Sequence, residues 1–275
     1  MRRCLSALTL AALTAACGGG GPAAPPALAY RLPDPAAVTY IQGDTTELDI
    51  EGGGQSFQMS VGSAATLDAA FARSDEGVSV TLTVKKFSAR MDQPMGGAIT
   101  ADESQISGPL VFTLDRRGRT SIVSRPETKG PATQFFGALS LAHSFFPRLP
   151  GRAIGPGDEW TDTIRYSGKE GQGQVDAVIV AHYTAVSDTT VAGRSLLKIA
   201  MTGTSDLHVT GVTAGMDVSQ DLTGKLEGVI LWDPVRGLMA ESSVAGDARG
   251  PMEVSAAPFP LNVRARQRTT IRLAS

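Results

Sequence analysis

The chain has 275 residues, of which 42% are hydrophobic, and a formal net charge of −2. That size and apolar content are enough to bury a substantial core, and the near-neutral charge excludes the basic footprint of a nucleic-acid-binding protein. Cys4 and Cys17 are the only cysteines, so stability has to come from packing rather than from a disulfide framework.

In chain order, Arg2 and Arg3 precede an apolar run of small residues from Leu5 to Ala16. A basic start, an apolar stretch too short to span a bilayer and small residues before a cleavage point describe a secretory signal peptide over residues 1–16. Leu13-Thr14-Ala15-Ala16-Cys17 resembles a bacterial lipobox. The resemblance implies cleavage before Cys17 and acylation of its thiol, and so a lipoprotein anchored in the membrane of the cell envelope. Loss of the two arginines takes the net charge from −2 to −4. Gly18–Gly21 followed by Pro22, Pro25 and Pro26 makes residues 17–29 a flexible tether, with a reach of roughly 40 Å. Gly18 after the cysteine resembles the outer-membrane-sorted class, facing the periplasm, if the host has two membranes. Residues 30–275 are expected to form one β-rich domain, and no later apolar run approaches the length of a membrane helix.

Strict alternation dominates that domain. Phe57, Met59 and Val61 alternate with polar residues, as do Val78 to Val84, Leu110 to Leu114 and Val175 to Tyr183. Period two with β-branched residues predicts strands with one buried face. Turn residues punctuate them at Glu51–Gly54, Ser74–Gly77, Asp115–Gly118, Ser167–Gly171 and Asp233–Gly237. About a dozen hairpin-connected strands are expected, and hence an antiparallel sheet. Gly108–Gly118 and Gly224–Gly237 share a strand ending in an aspartate turn, which suggests duplicated halves over 30–130 and 155–275.

One segment breaks the alternation. Between Pro131 and Pro147 the apolar residues fall at helical spacing, including Phe135, Phe136, Leu139, Phe145 and Phe146. A single central helix over about 131–147 is expected. It either plugs the open face of the sheet or presents those five residues as the wall of a lipid pocket.

Catalytic patterns are sparse. His143, His182 and His208 have no metal-ligand spacing, and no metal or cofactor is expected. Ser195 and Lys198 match Ser-x-x-Lys, but on a strand they point to opposite faces. Asp158, Glu159 and Trp160 read as a turn and a core-capping ring rather than as a sugar platform. Met91 and Met95 flank a soft loop that reads as an ordinary loop or a binding rim. Glu47, Asp49 and Glu51 share one strand face, and Arg264, Arg266 and Arg268 share another. Opposite rows of this kind predict that the two terminal strands pair.

The helix running into Phe146-Pro147-Arg148-Leu149-Pro150, followed by Gly157-Asp158-Glu159-Trp160, resembles uncharacterised bacterial envelope lipoprotein families. More distantly, the architecture is similar to the half-barrels of the LolA/LolB and LppX/LprG types, which close a curled sheet with helices and bind acyl chains beneath. The expected fold is therefore mainly β, an antiparallel half-barrel or two related sheet halves with one central helix. The expected function is non-enzymatic binding of a lipid or other apolar ligand, with the membrane as partner through Cys17. The alternative is a structural or protein-interaction lipoprotein with a solid core.

Overall fold

The computed structural model describes residues 27–92, 97–213 and 216–274. The Cys17 anchor expected from the sequence, and residues 93–96 of the methionine loop, lie outside them.

The chain forms β1 (Ala37–Gly52), β2 (Gln55–Ser74), β3 (Gly77–Asp92), β4 (Ala98–Asp102), β5 (Ile106–Ser107), β6 (Leu110–Leu114), β7 (Thr120–Ser124) and β8 (Glu127–Thr128). Two short helices follow, α1 (Ala132–Phe135) and α2 (Ala138–Ser144). Then come β9 (Glu159–Glu170), β10 (Gly173–Val191), β11 (Arg194–Thr213), β12 (Met216–Asp233), β13 (Leu238–Val254) and β14 (Leu261–Leu273). All but β5 and β8 join one curled antiparallel sheet in the order β7-β6-β3-β2-β1-β14-β13-β12-β11-β10-β9, with β4 beside β3. The alternation predicts the antiparallel sheet, and its curl into a half-barrel is the architecture that the resemblance implies. The segment before α1 supplies five strands to that order and the segment after α2 supplies six.

The terminal strands meet in the middle of the sheet. Glu47 lies opposite Arg266 and Asp49 opposite Arg264, so the two charge rows face each other as expected. Arg266 bridges Glu47 at 3.4 Å and Asp49 at 2.8 Å, while Arg264 turns to Asp247 on β13. On the other face of the same ladder Ile50 lies opposite Val263, and both are buried.

One long face of every strand points inward. At one end of the half-barrel, the capped end, Tyr40, Leu67, Phe112, Phe145, Leu149, Tyr183, Ile199 and Trp232 are essentially inaccessible. Buried hydroxyls find partners here: Tyr40 Oη donates to Met239 O at 3.0 Å, and Tyr30 Oη to Pro147 O at 2.8 Å. The strap at 27–36 crosses this end, bonding through Leu28 N, Tyr30 N and Asp34 N to the carbonyls of Arg152, Arg116 and Arg236.

The single helix expected over 131–147 is interrupted. Phe136 is extended, with φ −103° and ψ 94°, and Gly137 begins a new turn. The break sends Phe136 against Phe87, at 5.8 Å, and Phe145 and Phe146 into the capped-end core. A Cβ on Gly137 would stand 2.6 Å from Glu170 Oε1, so the glycine makes room for that carboxylate. Glu170 also explains why the turn expected at 167–171 is shorter. The β9 strand continues to Glu170 to deliver it.

The curl depends on bare backbone. Gly250 faces inward beside Val263, and a Cβ there would overlap the Asp221 carbonyl on β12. A Cβ on Gly203 of β11 would be similarly pressed, 2.5 Å from Val180 O. Glycine inside a strand weakens it but permits a close backbone approach. Gly250→Ala should therefore cost about 1–3 kcal/mol in urea unfolding. Gly62→Ala on β2, with nothing within 4 Å, should be near neutral. Equal effects would show that the curl does not need the glycine.

Candidate functional site

The five residues expected to line a pocket do not share a wall. Phe145 packs edge-on to Tyr40 at 5.3 Å, and Phe146 contacts Tyr30, Tyr40, Phe71 and Phe112 with ring centroids 6.0–6.3 Å apart. Phe136 and the half-buried Phe135 join a second cluster with Phe87, Ala89 and Ala101. Leu139 is buried over Gly168 of β9. These contacts are those of a packed core rather than of a lined cavity.

Between β7 and β9 the ladder does not close, and the α2 segment fills the seam. Glu170 caps α2, accepting from Leu139 N at 3.0 Å, Ser140 N at 3.1 Å and Ser140 Oγ at 2.6 Å. Arg125 donates across the seam to Lys169 O at 2.8 Å, and Arg117 pairs with the buried Asp162 at 2.9 Å. The His143 ring stacks on Tyr166 at 5.0 Å. Burial, helped by the positive fields of Arg148 and Arg125, lowers its pKa to about 4. Arg148 itself is only 3% exposed, and its Nε and Nη1 have no hydrogen-bond partner among the described residues. Burial lowers its pKa against the pull of Tyr30 and Asp162. Pattern reading passed over Arg148, although a lone cation inside Phe-Phe-Pro-Arg-Leu-Pro was the available signal.

The inward face changes character along the strands. Beyond the capped-end core lies a polar belt, where Asp44 accepts from Thr269 Oγ1 at 2.6 Å and Gln42 Nε2 at 2.7 Å. Burial still raises the Asp44 pKa. Past the belt, at the open end, comes a second apolar patch. Ile50, Leu222 and Val263 are buried there, and Leu48, Phe57, Met59, Leu207, Met252 and Leu261 are only half-buried around them. The signal for this patch lay in the sequence as ordinary alternation. It looked like core because no local pattern says that the strands outrun the helices that cover them.

The outward face is polar. Ser167, Asp176, His208 and Asp221 form one cross-strand row beside a groove of about 570 Å³, with His208 Nδ1 2.6 Å from Asp221 Oδ1. No cluster of His, Cys, Asp or Glu among the described residues is arranged to hold a metal ion. Ser195 and Lys198 lie on β11. Asp158 accepts from Gly155 N at 2.8 Å, and Trp160 donates to Arg148 O at 3.0 Å while stacking on Tyr183, which are the structural roles expected of both. Burial pushes the Tyr183 pKa up to about 12.

No family model matches the chain, and no curated protein matches it. Among solved structures it is similar to neisserial surface protein A, with a TM-score of 0.24 and 8% identity over 86% of this chain and 97% of that one. It is also similar to Pseudomonas aeruginosa OccK2 (OpdF), with a TM-score of 0.28 and 8% identity over 87% and 98%. A third is the translocator domain of the autotransporter NalP from Neisseria meningitidis, with a TM-score of 0.20 and 9% identity over 86% and 88%.

The lowered His143 pKa makes the seam sensitive to acid. The unfolded chain binds a proton at the ordinary value near 6.5, whereas the folded chain resists until about 4. Stability from this residue is therefore complete above about pH 6.5 and is lost as the pH falls toward 4. Unfolding midpoints should decline across that window more steeply in the parent than in His143→Gln. Parallel pH profiles would assign no role to the ring.

Proposed function

We propose that this is a lipid-anchored envelope protein, held at the membrane through Cys17, that binds a lipid or other apolar ligand non-enzymatically at the open end of its half-barrel. In a host with two membranes it would face the periplasm from the outer membrane. The observation that carries the reading is the contrast within one sheet face. The inward face is sealed at the capped end but leaves Leu48, Phe57, Met59, Leu207, Met252 and Leu261 half-exposed beyond the α2 segment. A grouped apolar patch left partly open is the ordinary mark of a binding surface, and its two methionine side chains adapt to irregular apolar shapes.

The polarity of the sheet supports a water-exposed rather than a bilayer-spanning domain. Membrane barrels carry their apolar band outside and their polar residues within. Here the outward rows are mainly Asp, Glu, Arg, Ser and Thr, and the inward face is apolar at both ends, interrupted only by the belt at Asp44.

The dense aromatic packing around Phe145 and Phe146 favours a second reading. On that reading the chain is a solid-cored interaction protein, acting through outward grooves such as that beside Ser167, Asp176, His208 and Asp221.

Native mass spectrometry of the protein purified from its host decides between them. The first reading expects a dissociable lipid mass that is lost in Phe57→Asp/Met59→Asp, with the fold retained. Phe146→Ala should instead cost about 3–5 kcal/mol of stability. A ligand-free mass, unchanged after incubation with host lipid, would favour the interaction protein.

A further inference from the structure

The capped end carries an unusual surface. Val235 is 79% exposed at the tip of the β12–β13 turn, and Leu32 on the adjoining strap is 38% exposed. The turn is held in that pose. Arg31 Nη2 donates to the carbonyls of Pro234 and Val235, both at 2.8 Å, and Asp233 Oδ1 accepts from Val235 N and Arg236 N. The strap runs from Tyr30, bonded to Arg116 O, to Asp34, bonded to Arg236 O. It thus stitches the β6–β7 turn to the β12–β13 turn across about 13 Å, four extended residues.

Arginines crowd the same surface. Arg31, Arg116, Arg119 and Arg152 are exposed and Arg236 is half-exposed. Of these, only Arg152 forms an ion pair among the described residues, with Asp158 at 3.6 Å. The acids of the two turns, Asp115 and Asp233, are engaged. Asp115 bonds Arg117 N and Arg119 N, and Asp233 is 4% exposed inside its turn. Asp34 remains exposed on the strap, and Asp75 and Glu76 stand on the β2–β3 turn.

We propose that the capped end is a membrane-docking face, in which Val235 and Leu32 enter the headgroup layer and Arg31, Arg116, Arg119 and Arg236 pair with lipid phosphates. Exposed apolar tips ringed by arginine are what an interfacial site requires. The apolar groups partition into the headgroup boundary, and guanidinium groups match phosphate geometry. The position of the chain selects the bilayer as occupant. The tether approaches from Leu28 at this end, and the residues between Cys17 and Leu28 span at most about 40 Å. The anchor therefore holds this end near the membrane, while strands as long as the 20-residue β2 carry the open end up to about 65 Å away. The proposal rests on the lipid-anchor reading and adds an orientation to it. The ligand-binding patch points away from the anchoring membrane, toward a partner membrane or carrier.

The test uses the full acylated chain in vesicles of phosphatidylethanolamine and phosphatidylglycerol, with an environment-sensitive dye on Val235→Cys or, at the open end, on Ala256→Cys. Brominated lipids should quench the dye at position 235 and not at 256. Arg116→Glu/Arg119→Glu, or 1 M salt, should bring quenching at 235 down to the level seen at 256 while the chain stays on the vesicles. A chain that stays on the vesicles with both positions unquenched overturns the docking face and leaves the anchor standing. A chain that carries no acyl mass and leaves the vesicles overturns the anchor reading.

Discussion

Residues 37–52 and 261–273 come from opposite ends of the described chain and lie side by side at the centre of the sheet. That single ladder converts a five-stranded segment and a six-stranded meander into one continuous surface. Its register is over-determined. On the inner face Ile50 meets Val263 and Leu48 meets Ala265, while on the outer face Arg266 sits between Glu47 and Asp49. A slip of one residue would exchange the two faces along the whole strand. The ion pairs are exposed and contribute roughly 0–1 kcal/mol each, so they select the register, and the buried face supplies most of the stability.

Once the terminal strands are joined, the remaining geometry follows from closing a sheet that cannot close on itself. Bare backbone at Gly203 and Gly250 lets β10 to β13 curl tightly. The two free edges, β7 and β9, still fail to meet, and the chain uses the segment between them as the plug. Side chains and helix-end bonds hold this plug: Glu170 on α2, Arg125 on Lys169 O and Arg117 on Asp162. The seam therefore rests on separate side-chain bonds rather than on a continuous ladder. It contains the buried Arg148 guanidinium and the acid-sensitive His143, and it is the place where this half-barrel is least like a sheet.

Much of this was legible from residue pattern. Period-two alternation located β2, β3, β6 and β10, and aspartate and glycine turns located most hairpins. The opposed charge rows on 47–51 and 264–268 pointed to the one long-range pairing that the topology needs. The helix was legible as an apolar stripe, but its break was not. A stripe records which residues are buried and not against what, and Phe136 and Phe146 belong to different clusters. For the same reason the five residues proposed as a pocket wall were credible in sequence, yet Phe145 and Phe146 lie in one packed cluster, Phe135 and Phe136 in another, and Leu139 over Gly168 of β9. The half-open patch at Leu48, Phe57, Met59 and Leu261 had the opposite fault. It has the same alternation as the core strands, and only the relative lengths of strands and cover leave it exposed.

The proposed function rests on the two unlike ends. One is filled with aromatic rings, crossed by the strap and studded with arginine; the other is long, apolar within and uncovered. Both ends are held in one body by the β1–β14 ladder, so native-state hydrogen exchange resolved by strand tests the account most directly. Amides of β1 and β14 should exchange together, as slowly as those of β11 and β12, through global unfolding alone. Fast, independent exchange of β14 while β9 to β12 stay protected would mean that the terminal pairing is peripheral, and it would contradict the claim that it organises the fold.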